Sequence, residues 1–301
     1  MKIVYALVVT YKRKDLLNQV LNALLQQTSP LSKIIVVDNN SNDGTDLLLQ
    51  EISSNHQDLF EYHNTGANLG GAGGFAFGFE LLKDRHYDCL WLMDDDLMPQ
   101  TGCLENLLNC PDGDIIQPLR LNKDGSVAEL SPIEFNLDEF FALMPKKENV
   151  AQYIQRTQQR TGTIKIAGVP FEGPLIKKHV VDAVGIPDKR FFIFYDDMDY
   201  SLRSTEAGFT IYCQTEAIAT RLLNNNQKND LSSWKGYFML RNLFRLYFIH
   251  GKTPLTRLKP FILAIGYCLL SLLRFRFREA GICLSSLRDA VTFRTDKKYI
   301  P

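Results

Sequence analysis

Residues 64–96 read NTGANLGGAGGFAFGFELLKDRHYDCLWLMDDD. Six glycines fall between Gly66 and Gly78, and an apolar run then ends in three adjacent aspartates, Asp94, Asp95 and Asp96. Glycine lets a ligand approach the backbone closely because it has no side chain. Adjacent carboxylates repel one another unless a cation or solvent separates them. The stretch therefore predicts a loop that binds a phosphate-bearing ligand, beside carboxylates that hold a divalent metal. The loop leads into a helix predicted for GGFAFGFELLKD, at residues 73–84.

The glycines allow two interpretations. GAGGFA, at residues 71–76, fits the G-x-G-x-x-A form of a dinucleotide-binding turn, and Asp94 follows at about the spacing of the acid that binds the ribose. However, the preceding EYHNTGAN is polar, whereas this turn should follow a hydrophobic strand. The other interpretation is a nucleotide-sugar site, in which a diphosphate and Mg²⁺ or Mn²⁺ use hard oxygen ligands.

In the nucleotide-sugar interpretation, alternate carboxylates at a strand end project to the same side. Asp94 and Asp96 can then share one metal, while Asp95 points elsewhere, toward a ribose hydroxyl. A structural alternative is that one aspartate caps a helix starting near Pro99, because Asp is a favoured N-cap residue. Capping would explain only one of these carboxylates.

The surrounding sequence alternates apolar runs with helical patterns. The short β-rich runs are IVYALVV, KIIVVD and CLWLM, at residues 3–9, 33–38 and 89–93. KDLLNQVLNALLQQ, at residues 14–27, carries apolar residues at helical spacing. This order predicts an α/β fold with a mixed, mostly parallel sheet and helices on both faces. Thr10, Asp38 and Asp94 would lie at the carboxyl ends of strands, where such sheets bind ligands.

A second acidic cluster follows the aromatic run FFIFY, which we predict to be a strand. A carboxylate beside a buried strand can be tuned to act as a general base, and Asp196 and Asp197 occupy that place. The alternative is an acidic helix N-terminus with an Asp199–Arg203 pair at i,i+4. The presence of the first acidic cluster favours the catalytic interpretation.

Composition limits the possible partners. The 301 residues include 34 basic and 34 acidic side chains, so the chain lacks the positive excess typical of nucleic-acid binding. The six cysteines show no zinc-ligand spacing and predict buried free thiols in a reducing, cytoplasmic compartment. MKIVYALVVTYKRKD, at the start, predicts a first buried strand because no cleavage site follows its apolar run.

The last fifty residues differ in charge. Residues 251–301 contain ten Lys or Arg and three Asp or Glu. Residues 261–273 are thirteen uncharged, mostly apolar residues followed by RFRFR, a run too short to span a bilayer as a helix. We predict peripheral membrane contact through residues 261–278, since interleaved Arg and Phe suit anionic headgroups. A helical pair that closes over the catalytic domain, or a dimer interface, is the alternative, and the oligomeric state is left open.

Six motifs follow one another as in family 2 glycosyltransferases of the GT-A fold: VVTYKRKD, VVDNNSNDGT, NLGGAGGFAFG, LWLMDDDLMP, FYDDMDYSLRSTEAGF and WKGYFMLRN. The pattern most resembles the bacterial galactofuranosyltransferase branch, over residues 3–120 and 165–245. The resemblance implies a Rossmann-like nucleotide-diphospho-sugar transferase fold and a single inverting displacement. It also implies UDP-galactofuranose as donor and a glycan or lipid-linked acceptor in surface polysaccharide synthesis, at the inner face of the cell membrane.

The domain organisation implied by the resemblance has two parts. Residues 1–245 form the catalytic domain, with a nucleotide-sugar-binding half at 1–120 and an acceptor and catalytic-base half at 165–245. Residues 121–164 form a variable insertion, whose polar, weakly patterned second part predicts a mobile surface excursion. Residues 246–301 form a helical C-terminal extension.

Roles at individual positions also follow from the resemblance. The nucleotide-sugar-binding residues would be Thr10, Arg13, Asp38, Asn40, Asn68, Gly70, Gly71, Asp94 and Asp95. Asp38 would contact the uracil, and the Gly70–Gly71 backbone would lie beside the diphosphate or the sugar. Asp94 and Asp96 would hold Mn²⁺ or Mg²⁺, which stabilises the departing nucleoside diphosphate.

On the acceptor side, the resemblance makes Asp197 the base and Asp196 a ligand of acceptor hydroxyls. Trp234 and Arg241 share a helix face with Tyr237 and Asn242. Core packing is one interpretation of this face. The other is that Trp234 and Arg241 bind the acceptor, or that Arg241 and Asn242 orient the second acidic cluster.

Two departures from the branch leave alternatives open. The branch completes its metal site with a histidine in A-x-x-H, and this chain has Arg221 there, in EAIATRLL. Arginine cannot ligate a cation but can neutralise a diphosphate. Pro174 and Leu175 in FEGPLI stand where the branch tends to have tryptophans. The alternatives are a rhamnosyl- or other hexosyltransferase using a dTDP- or UDP-sugar, and a catalytically silent sugar-nucleotide-binding assembly protein.

Overall fold

The computed structural model describes residues 2–56, 58–158, 161–223 and 231–301. The strands are β1 Val4–Thr10, β2 Lys33–Asp38, β3 Phe60–Asn64, β4 Cys89–Asp94, β5 Leu97–Pro99, β6 Ile115–Leu121, β7 Thr163–Lys165, β8 Leu175–Lys177 and β9 Ile211–Arg221. The α-helices are α1 Lys14–Leu25, α2 Thr45–Asn55, α3 Gly70–Leu82, α4 Cys103–Leu108, α5 Val150–Thr157, α6 Lys178–Val184, α7 Asp196–Glu206, α8 Trp234–His250, α9 Pro254–Leu273 and α10 Phe277–Thr292. They confirm the predicted α/β class.

One sheet runs in the order β3-β2-β1-β4-β8-β6-β9-β5, with β7 beside β9. Strands β1 to β4 are parallel, and their apolar side chains pack alternately into two cores. Leu7 packs with α3 on one face and Val8 packs with α1 on the other, which confirms helices on both faces. In this register Thr10 pairs with Asp38, and Val9 pairs with Asp94. The carboxyl ends of β1, β2 and β4 therefore meet at one edge.

The second half of the sheet is mixed. β8 is antiparallel to both β4 and β6, whereas β6 and β9 are parallel. The chain turns sharply after β4, and the short β5 pairs antiparallel with β9, so that Leu97 lies opposite Arg221. This pairing brings the first acidic cluster next to the end of a strand more than 120 residues further along the chain.

The glycine-rich stretch is helical from Gly70 onward, which confirms the helix predicted for residues 73–84 over Gly73–Leu82 and corrects the predicted loop only at residues 70–72. Five of its six glycines lie within α3. A Cβ atom at Gly74 would lie 2.5 Å from Val9 Cγ1, and one at Gly78 would overlap the Leu7 side chain. Most of these glycines therefore allow α3 to pack directly on β1. The polar segment before them contains β3, a half-buried edge strand that pairs only with β2 in the described sheet.

The insertion at 121–164 is folded, so the predicted mobile excursion is wrong for its described part. Backbone bridges join residues 132–136 to residues 145–149. α5 follows, with a capping box formed by Asn149 and Gln152. Its Val150 and Ile154 side chains are buried in the main core. The two apolar side chains lie four residues apart and therefore on one face of the helix, and the N-cap satisfies its first backbone N–H groups.

The C-terminal helices also differ from prediction. The expected boundary at residues 245/246 falls inside α8, which packs against α10. α9 begins at Pro254 and has 20 residues, so the helix extends seven residues before the thirteen-residue apolar run from which the segment was expected to be too short to span a bilayer. By length and composition alone, α9 is long and apolar enough to cross a bilayer. All six cysteines are free, as predicted.

We predict that Gly78→Val destabilises the protein by about 1–3 kcal/mol, because a side chain at this position collides with Leu7 in a fully packed core. Gly71→Val in the same helix is the matched control, since a Cβ there meets no atom within 4 Å. Urea unfolding of both variants measures the difference. Equal free energies of unfolding would show that α3 does not depend on close contact with β1.

Candidate active site

A cavity of about 490 Å³ opens at the carboxyl edge of the parallel strands. This volume falls in the range of small-molecule sites. Both acidic clusters and most of the predicted site residues line it. The predicted residues in its wall are Thr10, Arg13, Asn68, Gly70, Gly71, Asp94, Asp95, Asp96, Asp196, Asp197, Arg221 and Trp234.

Asp95 holds the end of β1 against the end of β4. It is 3% exposed and accepts hydrogen bonds from Thr10 Oγ1 (2.9 Å) and the Tyr11 backbone N–H (3.2 Å). Arg13 Nη1 donates to Asp95 Oδ1 and to Asp96 Oδ2, both at 2.9 Å. The predicted ribose contact of Asp95 remains a prediction.

The capping alternative for the first cluster is wrong. The next helix, α4, starts at Cys103 and its N-cap residue is Gly102. Asp95 and Asp96 form the turn between β4 and β5, and their side chains face Arg13. No helix terminus accounts for these carboxylates.

The first cluster is electrostatically crowded. Burial raises the pKa of Asp94 well above its usual range, and the charges of Glu172, Asp96 and Asp95 add to this effect. Burial and the Glu172 charge raise the pKa of Asp96 as well, although Arg13 and Arg221 oppose the shift. Half-buried carboxylates in this situation favour a bound cation.

Asp94 and Asp96 could hold a metal ion only if a bound ligand supplied further oxygen atoms to its coordination shell. Among the described residues, no group of three or more His, Cys, Asp or Glu could hold a metal ion. Mg²⁺ bound with a nucleotide usually takes one or two carboxylates, and substrate phosphates complete its shell. Asp94 and Asp96 match that donor set, since both line the cavity.

The second cluster lies at the start of α7, after a segment that is not the predicted strand. Residues 189–191 form a short 3₁₀ helix, and the backbone then passes through positive φ at Phe192, Phe194 and Tyr195 (64°, 66° and 66°). Non-glycine residues in this region carry strain that the surrounding structure must hold. The strand prediction failed because aromatic content indicates burial, and these rings are packed without being paired in a sheet.

Asp197 has the properties of a general base. Burial raises the pKa of Asp197 to about 6; the Met198 backbone N–H and the charge of Arg120 oppose the shift, while the Glu172 charge adds to it. Burial and the neighbouring Asp197 charge raise the pKa of Asp196 well above its usual range. A carboxyl group whose pKa lies near neutral pH can accept a proton efficiently.

The predicted ion pair between Asp199 and Arg203 is also present, and it involves a different aspartate from the proposed base. Asp199 accepts from Arg203 Nε at 2.9 Å, which is the predicted i,i+4 pair. His250 Nε2 lies 3.0 Å from the same carboxylate, so this histidine has a structural role at α7. Asp199 stabilises α7, whereas Asp197 lines the cavity.

Arg241 lies beneath the site and not in it, which corrects its predicted contact with the acceptor. Its side chain is fully buried and does not line the cavity. All five guanidinium N–H groups have protein acceptors: Asn242 Oδ1, Thr295 Oγ1 and the carbonyls of Arg190, Phe191 and Arg294. Asn242 Nδ2 donates to the carbonyls of Phe191 (3.0 Å), Ile193 (2.7 Å) and Phe194 (2.9 Å). These two residues hold the strained segment, as the orienting alternative proposed.

Two predicted donor-site residues lie outside the cavity wall. Asp38 is buried and accepts from Ser41 and from the Tyr62 hydroxyl (2.8 Å), and Asn40 has a left-handed backbone (φ 62°). Asn39 lines the cavity instead, and its Nδ2 donates to the Gly70 carbonyl at 3.0 Å. The uracil contact of Asp38 remains a prediction.

A charged network that the sequence did not reveal joins the two clusters. Arg120 is 3% exposed and pairs with Glu129 (2.8 Å) and with Glu172, which also lies 3.5 Å from Arg221. Glu172 influences the pKa values of Asp94, Asp96 and Asp197, as described above. Glu172 directly precedes Gly173, whose positive φ of 96° marks a tight turn. No local sequence pattern indicates that Glu172 pairs with Arg120 and Arg221.

The chain matches known proteins over much of its length. The model of glycosyl transferase family 2 matches residues 5–172, which include the glycine-rich helix and the first acidic cluster. Galactofuranosyltransferase GlfT1 of Mycolicibacterium smegmatis is 32% identical over 216 residues, or 69% of this chain and 67% of that protein. These matches favour the nucleotide-sugar interpretation over the dinucleotide one.

Two solved structures resemble the fold. GalNAc-T7 with UDP, GalNAc and Mn²⁺ has a TM-score of 0.60 at 12% identity, and the match covers 87% of this chain and 54% of that one. Mannosyltransferase PcManGT from Pyrobaculum calidifontis, in complex with GDP-Man and Mn²⁺, has a TM-score of 0.58 at 15% identity, over 98% of this chain and 76% of that one. At these identities the likeness concerns the fold alone, and it confirms the GT-A architecture.

We predict that Asn242→Leu lowers the free energy of unfolding by about 2–3 kcal/mol, because carbonyl groups of the strained segment lose their donor. Asn106→Leu is the control, since Asn106 is only half-buried and donates to a single carbonyl, that of Glu216. Urea unfolding compares the two variants. If they were equally stable, the segment before Asp196 would not depend on the buried amide.

Proposed function

Because the chain belongs to glycosyltransferase family 2 and is a glycosyltransferase, we propose that it transfers galactofuranose from UDP-galactofuranose to a glycan or lipid-linked acceptor. The observation that carries this proposal is that the first acidic cluster and Asp197 line the same cavity. The similarity to a galactofuranosyltransferase supports the choice of donor. The product would be a surface polysaccharide or its precursor.

The proposed reaction is one inverting displacement. Asp197 takes the proton of an acceptor hydroxyl as its oxygen bonds to the anomeric carbon of the donor sugar. The bond from that carbon to the diphosphate oxygen breaks, and UDP leaves with the electron pair. The pKa of Asp197, near 6 because of burial, keeps this carboxylate deprotonated at neutral pH and still basic enough to accept the proton.

In this proposal, Asp94 and Asp96 hold a divalent metal, Mn²⁺ or Mg²⁺. The ion would supply Lewis-acid stabilisation of charge on the diphosphate. Two structural neighbours contain Mn²⁺, which supports a divalent ion in this fold. Arg221 replaces the histidine of the branch, and its position beside Glu172 lets it neutralise diphosphate charge directly.

The donor nucleotide would lie along the edge formed by β1, α3 and β4. Thr10 and Arg13 are fixed there by Asp95, and the Gly71 position faces open space, so a phosphate can approach the backbone closely. Asn68 accepts from the Gly70 N–H at 2.9 Å and so shapes the start of the helix. A helix N-terminus favours negative charge, which suits a diphosphate at this point.

Membrane contact at the cytoplasmic face is proposed for α9 and the RFRFR segment. Five aliphatic residues on one face of α9 are more than half exposed: Leu255, Leu258, Ile262, Ile265 and Leu269. Phe275 and Phe277 are exposed among three exposed arginines. Ala264 and Lys259 of α9 are buried against the protein, which supports a helix lying at the interface in preference to one that crosses the bilayer.

We predict that UDP-galactofuranose with Mn²⁺ releases UDP, and that EDTA or Asp94→Asn lowers the rate about 100-fold or more, since charge on the leaving group is then uncompensated. Asp112→Asn, at an exposed position outside the cavity, is the control. A coupled UDP assay with other UDP-hexoses and dTDP-rhamnose as competing donors measures selectivity. Faster turnover of another sugar would change the donor, and turnover of none would indicate the silent binding protein.

Asp197→Asn should reduce transfer by about 10²–10⁴-fold, the usual contribution of a general base. In the wild type, the rate should rise with pH through about 6 and then level, because only the carboxylate form of Asp197 accepts the proton and its pKa is about 6. Glu216→Gln, which changes an exposed carboxylate, serves as the control. A pH–rate profile with a flat acid limb, or an active Asp197→Asn, would contradict the assignment of the base.

A further inference from the structure

A second cavity, of about 360 Å³, adjoins the first. Glu172, Phe194, Asp197 and Arg221 line both cavities, so the proposed base stands where they meet. Much of the second wall comes from residues 130–146, which belong to the insertion. Donor-site residues of β1 and α3 do not line it. A molecule in this second cavity would thus reach Asp197 without displacing the nucleotide.

Most of this wall is apolar. Phe135 and Met144 from the insertion lie opposite Val169 and Met198 from the catalytic domain, and all four line the cavity. Gly168 allows this close packing, since a Cβ there would lie 2.7 Å from Met198 Cε. Such a surface suits the C–H face of a sugar ring or an apolar aglycone.

One cation in this wall lacks a carboxylate partner. Lys146 is half-buried and donates to the Leu130 carbonyl, and within the described parts of the chain its ammonium group forms no ion pair. Arg120, which also lines the cavity, is fully committed to Glu129 and Glu172. The adjacent Lys147 differs, because it is exposed and pairs with Glu134 (3.1 Å) and Glu139 (2.7 Å).

We propose that the second cavity is the acceptor subsite, and that Lys146 selects an acceptor sugar with an anionic group. The inference rests on the proposed function, since the acceptor hydroxyl must reach Asp197. A half-buried ammonium group without a counter-ion loses part of its hydration, and a ligand anion can compensate for that loss. The anion is either the phosphate of a glycosyl phosphate or the carboxylate of a uronic acid, because both give charge-assisted hydrogen bonds to an ammonium group.

The electrostatic setting agrees with this assignment. Burial lowers the pKa of Lys146, and the charge of Arg120 contributes in the same direction, while Glu129 and Asp197 oppose it. The charged groups that act on Lys146 thus include the Arg120–Glu129 ion pair and the proposed base, Asp197. An anionic acceptor would favour the charged form of Lys146, and would be held at the end of the cavity where Asp197 can reach a neighbouring hydroxyl.

Calorimetric titration of the full-length protein tests the proposal with four probes: methyl glucoside, glucose 1-phosphate, methyl glucuronide and inorganic phosphate. Lys146→Gln should weaken binding of an anionic sugar about tenfold or more, and Lys146→Arg should restore most of it. Lys147→Gln should bind every probe as the wild type does. The anionic sugar with the larger loss identifies the phosphate or the carboxylate as the preferred group.

Several results would overturn the proposal. They are the absence of wild-type binding for both anionic sugars, equal binding by Lys146→Gln, or an equal loss in Lys147→Gln. Tight binding of inorganic phosphate alone, without any gain from the sugar, would reject the acceptor subsite in favour of a simple anion site. UDP release by the same wild-type preparation shows which proposal fails. If the enzyme releases UDP but Lys146→Gln does not change binding, only this inference is rejected. If no donor gives UDP release, the proposed function is rejected.

Discussion

The geometry of the site depends on two buried polar side chains that hold a strained stretch of backbone. Phe192, Phe194 and Tyr195 have left-handed φ angles, each of which costs on the order of 1–3 kcal/mol outside glycine. Asn242 and Arg241 offset this cost by donating to the carbonyls between Arg190 and Phe194. The guanidinium group also lies 4.8 Å and 5.2 Å from the ring centroids of Phe238 and Phe293, so a buried charge without a carboxylate is still stabilised. Because this segment leads directly into α7, its conformation decides where Asp196 and Asp197 lie.

Charge balance links the two acidic clusters. Glu172 lies between Arg120 and Arg221, and its charge acts on both clusters. At the first cluster this negative charge raises the pKa values of Asp94 and Asp96, and a bound cation would relieve the same repulsion. At the second, it helps to keep the pKa of Asp197 near 6. Arg120 is needed to keep Glu172 in place, and the fully buried Glu129 completes the compensation. In the proposed mechanism, the one carboxylate of Glu172 would thus assist both cation binding and proton acceptance, at two ends of a cavity.

The sequence predicted the elements that depend on local patterns, and it did not predict those that depend on contacts between residues far apart in the chain. β1, β2 and β4 were predictable because a strand buried on both faces is a continuous apolar run. The helix over residues 73–84 was predictable, whereas Gly70 and Gly71 were predicted to lie in a loop because glycine disfavours helices. The presence of Gly74 and Gly78 inside the helix is explained only by their contacts with Val9 and Leu7, which are distant in the sequence. α5 begins with a capping box at Asn149, but the helix was not predicted because its sequence is mostly polar. Glu172 and Arg120 could not be found at all, since their pairing spans 52 residues and no local pattern encodes it.

The proposed chemistry and the proposed recognition of the acceptor differ in how precisely their groups must be held. Bond making and breaking require groups fixed to a fraction of an ångström, and the strand ends and the tethered start of α7 provide such positions. Recognition of an acceptor needs only a complementary wall, which a hairpin can supply. Residues 132–149 would form that kind of wall in the proposed acceptor subsite, because two backbone segments bridge one another and their Phe135, Met144 and Lys146 line the cavity that Asp197 also lines. Changes in this insertion can therefore alter the acceptor while the charge network around Glu172 and the position of Asp197 are preserved. Acceptor specificity would then vary more readily among similar chains than the chemistry does.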